Sequence, residues 1–297
     1  MPADTETLVR RAGIIKAIRS HFDDLGFVEV ETAVRIAAPA PEEHIDCPAV
    51  SAFPPAGTPL TYLRASPELQ MKKLLAAGME RIYQIGPCFR EGENGSRHNA
   101  EFTMLEWYRR GADYRDIMRD TVELLSVLTG KDAEGFEYAE LGVREAYLRF
   151  AHWDPWEDWD GDRFDFDMAT RIEPAVKERG GFVFLKDYPV QAASLAKLGG
   201  DGAEAKDRFA ERWELYWDGI ELANCFTELC DPVEQRRRFE RSKEVRRTLG
   251  EADYPLDCGF FDCLGNIGSA AGIALGIDRL VMALLKAEEI SAVRAII

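Results

Sequence analysis

Apolar residues recur at helical spacing over 7–25, and Gly26 stops the run. Residues 27–32 (FVEVET) then alternate as a strand. A second β-rich alternation opens at 81–85 (RIYQI). A third, over 101–108, puts Phe102, Met104, Glu106 and Tyr108 on one face. Between these two strands the pattern predicts a polar loop with two glycines, carrying Arg90, Arg97, His98 and Asn99. Such a hairpin has cations at its tip and a ring, a carboxylate and a phenol along one face. It suits a ligand with a phosphate end and an ammonium end. The same alternation also describes an ordinary hairpin with a solvated loop.

The rest of the chain is punctuated as clearly. Residues 37–59 are rich in Ala, Pro and Glu and read as a loop region. Ser66, Pro67 and Glu68 open a helix to about residue 77, since Ser caps, Pro suits the first turn and Glu complements the dipole. Capping alone accounts for that triplet. Helices are expected over 114–129 and 143–150, an irregular acidic and aromatic segment over 153–166, and strand plus loop over 180–197.

Over 214–228, Glu214, Glu221, Glu228 and Asn224 punctuate a mostly apolar strand. Apolar strands tolerate acids when these are paired or bind a metal, and hard oxygen ligands suit Mg²⁺. The other reading is surface acids along a strand edge. Residues 272–280 read as a glycine-bearing strand running into a helix, where backbone can approach a nucleotide and Arg279 stands as a fixed cation. Alone, that GxxxGxxR spacing is common. Residues 235–247 (QRRRFERSKEVRR) form a local basic helix, read as a solvated face balanced by nearby acids.

Composition narrows the class. The chain has 297 residues, 46% apolar and 30% charged, within the range of one large catalytic domain over 1–297. No apolar run approaches a membrane span and the start is no signal peptide, so a cytoplasmic protein without membrane contact is expected. Six cysteines form no CxxC pair, which argues for reduced thiols and against zinc. The net charge of −16 argues against tight tRNA binding, which needs a basic face, and is compatible with a basic protein partner.

Residues 89–108 resemble motif 2 of class II aminoacyl-tRNA synthetases in its lysyl pattern, 7–32 resemble motif 1, and 272–280 resemble motif 3. In that order, from about Leu8 to the C-terminus, the chain is most similar to the elongation factor P–(R)-β-lysine ligase family, truncated paralogues of lysyl-tRNA synthetase. The resemblance implies an α+β class II catalytic core, a mostly antiparallel sheet flanked by helices, without an anticodon-binding domain and assembled as a homodimer.

It also implies roles. Arg90 and Arg279 would be catalytic. Arg90, Glu91, Gly92, His98, Asn99, Phe102, Glu221, Leu222, Gly276 and Arg279 would bind ATP, with Phe102 and Arg279 sandwiching adenine. Glu214 and Glu221 would hold Mg²⁺. Ser66, Pro67, Glu68, Glu106, Tyr108, Asn224, Glu228 and Ala274 would line the substrate pocket, and Glu68, Glu106, Glu228, Tyr108 and Asn224 would fix the substrate amino groups. Ala274 stands where true lysyl-tRNA synthetases usually carry Gly; one methyl shifts preference by about 1–3 kcal/mol and bears on the choice between lysine and (R)-β-lysine.

The chain departs from the family at Ala33 and Ala100, where prolines are usual, and at Glu91–Gly92, where Asn-Glu is usual; either Glu91 or Glu93 could face the adenine amino group. The implied reaction is ATP-dependent activation of the amino acid and its transfer to a lysine of elongation factor P. The competing readings are a minimal tRNA-charging enzyme, an asparagine-synthetase-like ligase and a catalytically silent binding dimer.

Overall fold

A computed structural model describes residues 3–50, 60–200 and 207–295. In chain order its elements begin with α1 (Thr5–Asp24), β1 (Val28–Glu29), β2 (Arg35–Ile36), β3 (Ala49–Val50), β4 (Thr61–Leu63), α2 (Glu68–Ala76), β5 (Arg81–Asn94) and β6 (Asn99–Arg110). Next come α3 (Tyr114–Thr129), β7 (Ala139–Gly142), α4 (Val143–Ala146), α5 (Gly161–Asp167), α6 (Glu173–Arg179), β8 (Phe182–Pro189), β9 (Leu198–Gly199), β10 (Phe209–Trp217) and β11 (Ile220–Thr227). The remaining elements are α7 (Pro232–Leu249), α8 (Cys258–Leu264), β12 (Ala270–Gly276) and α9 (Ile277–Leu285). They sort into two units, one of Met1–Arg110, Cys230–Ala270 and Gly276–Ile297, the other of Gly111–Leu229 and Ala271–Leu275.

The first unit is organised by the antiparallel β5–β6 hairpin, paired from Arg81↔Arg109 to Phe89↔Glu101 and again at Asn94↔Asn99. Strand geometry therefore runs further than the alternation predicts. Arg90 and Asn99 are strand residues, and only 95–98 form the turn. β1 adds to β5 in parallel. α1, capped by the Asp4 carboxylate on the Thr7 N–H (2.7 Å), lays Phe22 against Tyr83 (4.9 Å between ring centres) and Trp107 (5.1 Å). The region expected to be loop over 37–59 contains β3, which joins β2 and β4 in a small sheet of order β2-β4-β3; residues 51–59 lie outside the described residues.

The basic stretch lies within α7, which Asp231 caps and Pro232 opens. Five of its seven cations pair with acids on the helix or on segments packed near it. Arg237 (2.8 Å) and Arg238 (2.9 Å) share Glu234, Lys243 pairs Asp253 (2.8 Å), and Arg247 meets Glu244 (3.2 Å) and Asp253 (3.1 Å). Arg246 is buried on Asp46 and Glu251. This is the balanced helix face the sequence suggests.

In the second unit the strands run β12-β11-β10-β8-β7, antiparallel except for β7 on β8, with β9 on β10. The β10–β11 hairpin turns through Asp218 (φ 49°) and Gly219 (φ 76°), the Asp-Gly pair that a two-residue turn with two positive φ values favours. Its register then slips. Leu215 faces Ala223 but Tyr216 faces Glu221, so Leu222 is one extra residue on β11.

The acidic aromatic segment is less irregular than expected: α5 starts at Gly161, with the Asp160 carboxylate capping the Arg163 N–H (3.0 Å). Its rings supply core. Phe164 stacks on Tyr147 (4.6 Å), and Trp153 donates its Nε1–H to Asp167 (2.9 Å).

Asp278, in the first unit and 1% exposed, ties β6, α1 and the C-terminal segment to the start of α9. It accepts the Thr103 N–H (2.8 Å) and pairs with Arg11 (2.6 Å) and Arg294 (3.3 Å). Removing one member of such a cluster strands the others away from water. Asp278→Ala is expected to cost about 3–5 kcal/mol of folding free energy in urea unfolding.

Candidate active site

In the first unit, Ser66 sits just before α2, with Pro67 setting the turn and Glu68 as the first helical residue. The Ser66 Oγ accepts the Glu68 N–H (2.9 Å), which is the capping expected of it, and donates to Glu106 Oε1 (2.6 Å). Tyr108 donates its hydroxyl to Glu106 Oε2 (2.8 Å), as residues two apart on one strand face can. Glu106 is fully buried. Burial pushes its carboxyl up to about 7, and nearby Glu68 adds to this, while the hydrogen bonds from Ser66 and Tyr108 and the charge of Arg64 pull the other way. Beside it the fully buried Lys72 donates to Glu68 one helical turn away. The cluster of Glu68, Lys72 and Glu106 thus carries one net negative charge once Glu106 ionises. It is built to receive an ammonium group.

At the far end of the same hairpin the cations gather. The Arg90 guanidinium lies over the Phe102 ring (5.1 Å to its centre) and reaches Glu93 (3.3 Å). Arg279, three residues past Gly276 at the N-terminus of α9, donates to the Arg97 carbonyl (3.3 Å) and bonds the His98 ring. Burial, and then the Arg279 charge, hold the His98 pKa below its ordinary value, so its neutral ring accepts from the arginine. The Phe102 ring, expected to sandwich adenine with Arg279, is faced here by Arg90. Glu93 is engaged with Arg90, whereas the Glu91 side chain is exposed beside Gly92 while its N–H is anchored on the Asp46 carbonyl (2.7 Å). The Asn99 amide donates to the Glu101 carbonyl (2.8 Å).

In the second unit, register gathers another set. Glu214 faces Asn224 and Tyr216 faces Glu221 across β10–β11, and Asn224 faces Ala274 across β11–β12. Residues directly opposite share a sheet face, so Glu214, Glu221, Asn224 and Ala274 stand together. The extra residue at Leu222 makes this possible; without it Glu221 and Asn224, three apart, would point to opposite faces. Leu222 itself is buried and offers only its backbone. Glu228, also buried, lies just past β11 and bridges to Ala196.

One residue the sequence reading missed dominates this face. Arg212 donates to Asn224 Oδ1 (3.0 Å), Glu214 Oε1 (2.6 Å) and the Ala192 carbonyl (3.0 Å), and lies over the Tyr188 ring (4.4 Å). Tyr216 donates to Glu214 Oε2 (2.8 Å). Since arginine has donors only, the Asn224 atom facing it is its oxygen, and the amide presents N–H donors elsewhere. The amide expected to meet a substrate amino group is thus held by its oxygen on Arg212. The signal for Arg212 was available: 212, 214 and 216 alternate on one strand face. So was that for Lys72, four residues after Glu68 on a helix.

Among the described residues no group of three or more His, Cys, Asp or Glu side chains could hold a metal on its own. Two carboxylates on one face, Glu214 and Glu221, nonetheless fit the way Mg²⁺ binds when phosphates complete its shell.

Comparison with known proteins identifies the family. The family model for class II tRNA synthetases (D, K and N) matches residues 2–296. The chain is 37% identical over 320 residues to the elongation factor P–(R)-β-lysine ligase of Proteus mirabilis, covering 99% of this chain and 95% of that protein. It is likewise 37% identical to the ligase of that name from Yersinia enterocolitica (99% and 95% covered) and 38% identical to that of Photorhabdus laumondii (97% and 94% covered). The chain therefore belongs to the class II aminoacyl-tRNA synthetase family, and within it to the elongation factor P–(R)-β-lysine ligases.

Proposed function

We propose that this chain activates (R)-β-lysine or lysine with ATP as an aminoacyl-adenylate and transfers the acyl group to a lysine side chain of elongation factor P. It works as a cytoplasmic homodimer. The observation that carries the reading is the buried Glu106, held by Ser66 and Tyr108 beside the Glu68–Lys72 pair, on the hairpin that also carries Arg90 and, at its turn, His98, which Arg279 meets from α9. One hairpin thus carries an ammonium receptor and a phosphate receptor. Exposed Val9 and Val28 leave apolar surface on the α1–β1 segment that resembles the motif 1 dimer interface.

In the reaction, the substrate carboxylate attacks the α-phosphorus of ATP, the bond to pyrophosphate breaks, and the adenylate forms. The acceptor amine then attacks the acyl carbon, loses a proton, and AMP leaves. No side-chain nucleophile is required, so catalysis is positioning and charge stabilisation. Arg90 swings from Phe102 to the α-phosphate and leaves that ring for adenine. Arg279 and His98 hold the phosphate tail, and Glu91 and Asn99 border the nucleotide. Glu106 and Glu68 take a substrate amino group; the family resemblance assigns Glu228, Asn224 and Ala274 to substrate binding as well, with Asn224 offering N–H donors and Ala274 limiting the space beside it. Mg²⁺, held by Glu214 and Glu221, would neutralise phosphate charge.

The reading is tested by intact-mass spectrometry of unmodified elongation factor P incubated with the protein, ATP, Mg²⁺ and each lysine isomer. A gain of one lysyl unit is expected, larger with (R)-β-lysine. Charging of tRNA with no gain on the protein would overturn it. Arg90→Ala is expected to slow amino-acid-dependent ATP–pyrophosphate exchange by about 10²-fold or more. Ala274→Gly should shift the kcat/KM ratio toward α-lysine by about tenfold.

The Glu106 pKa sets a pH dependence. Below about 7 the free protein holds Glu106 protonated, and an arriving ammonium favours the ionised form, so binding must release a proton. The amino-acid KM should therefore fall as pH rises from 5.5 towards 7 and level off above it. Glu106→Gln should bind more weakly with a flat profile over the same range.

A further inference from the structure

We infer that Arg212 is a positioning residue that sets the amino-acid side and the Glu214 side of the site with a single guanidinium. The inference rests on the ligase reading above and adds a residue to it. Arg212 is largely enclosed, with 19% of its side chain exposed, and is wedged between the Tyr188 ring and the β10–β11 face. Glu214 lies directly against it, and an arginine brings its charge and donors to that contact without acting as an acceptor. Its planar fork serves three acceptors at once. The Ala192 carbonyl fixes the guanidinium, Asn224 Oδ1 is turned towards it, and Glu214 Oε1 is drawn onto it.

Two consequences follow for chemistry. The Asn224 amide cannot flip, because its nitrogen would then meet another donor, so its N–H face is committed to the substrate. Glu214, held on its other oxygen by Tyr216, keeps one rotamer. A lysine could replace the charge beside Glu214, but its single ammonium cannot span all three acceptors in that planar arrangement. A glutamine could donate to Asn224 but supplies no charge to Glu214. The two substitutions therefore separate the two duties.

The test is ATP–pyrophosphate exchange with Arg212→Lys, Arg212→Gln, Asn224→Ala and the Arg212→Lys/Asn224→Ala double variant, with unfolding midpoints recorded for each. Arg212→Lys is expected to raise the amino-acid KM by about 10- to 100-fold while leaving the KM for ATP nearly unchanged. Arg212→Gln should show the reverse bias, with about a tenfold higher Mg²⁺ requirement and a smaller change for the amino acid. Added to Asn224→Ala, Arg212→Lys should change the amino-acid KM little further, because both act through one amide. Parallel losses in both substrates, additive effects in the double variant, or no kinetic change in either single variant would reduce Arg212 to a structural role and overturn the inference. Absence of exchange in the unmodified protein would instead remove the ligase reading, and this inference with it.

Discussion

A carboxylate taken out of water must be answered by its surroundings, and this protein answers in three ways that sort its acids by task. Asp278 is met by two arginines and a backbone N–H, which fixes it as a joint. Glu214 is met by Arg212 and Tyr216, one on each oxygen, which orients it. Glu106 receives hydrogen bonds from two hydroxyls, Ser66 and Tyr108, and its carboxyl responds by holding its proton up to about pH 7. The last arrangement is the one that improves when a cation arrives. Desolvation thus distinguishes an acid that holds the fold from one that waits for a ligand.

Much of this was legible in the chain. The period-two pattern over 101–108 placed Glu106 and Tyr108 on one face, and their hydrogen bond follows from it. Ser66, Pro67 and Glu68 announced a helix start, and capping and site turn out to be one arrangement, since the Ser66 hydroxyl serves both Glu68 and Glu106. What sequence reasoning lost was register. Alternation cannot reveal that pairing resumes at Asn94↔Asn99 and draws Arg90 and Asn99 into strands. Nor does it identify the donor that fixes an amide: Asn224 read as a contact for the substrate amino groups, and the Arg212 guanidinium on its oxygen went unseen.

Charge runs were the most ambiguous signals, because sequence proximity does not say where a neutralising partner comes from. The arginines of α7 draw partners from within the helix, at Glu234 and Glu244, and from the segment after it, at Glu251 and Asp253, while Arg246 reaches back to Asp46. The acidic aromatic segment is likewise structural. Asp154 and Asp167 anchor Arg144 (2.7 Å) and Arg171 (2.8 Å), and the rings of Trp153 and Phe164 pack into the core of their unit. In both cases much of the run's charge is met by partners within its own unit.

The extra residue at Leu222 has a consequence for how this site can change in evolution or in the laboratory. A strand face behaves like a reading frame of two, and the bulge is a one-residue frameshift that brings Glu221 and Asn224 into phase. Substitutions within the strand alter one contact at a time. Loss of a single residue there would restore strict phase and exchange the inward and outward sets on one side of the slip, turning Glu221 away from Asn224 without altering either. The composition of the site is thus robust to point change but fragile to length, and lineages of this fold should tolerate insertions in the Asp218–Gly219 turn far better than one-residue deletions three positions later.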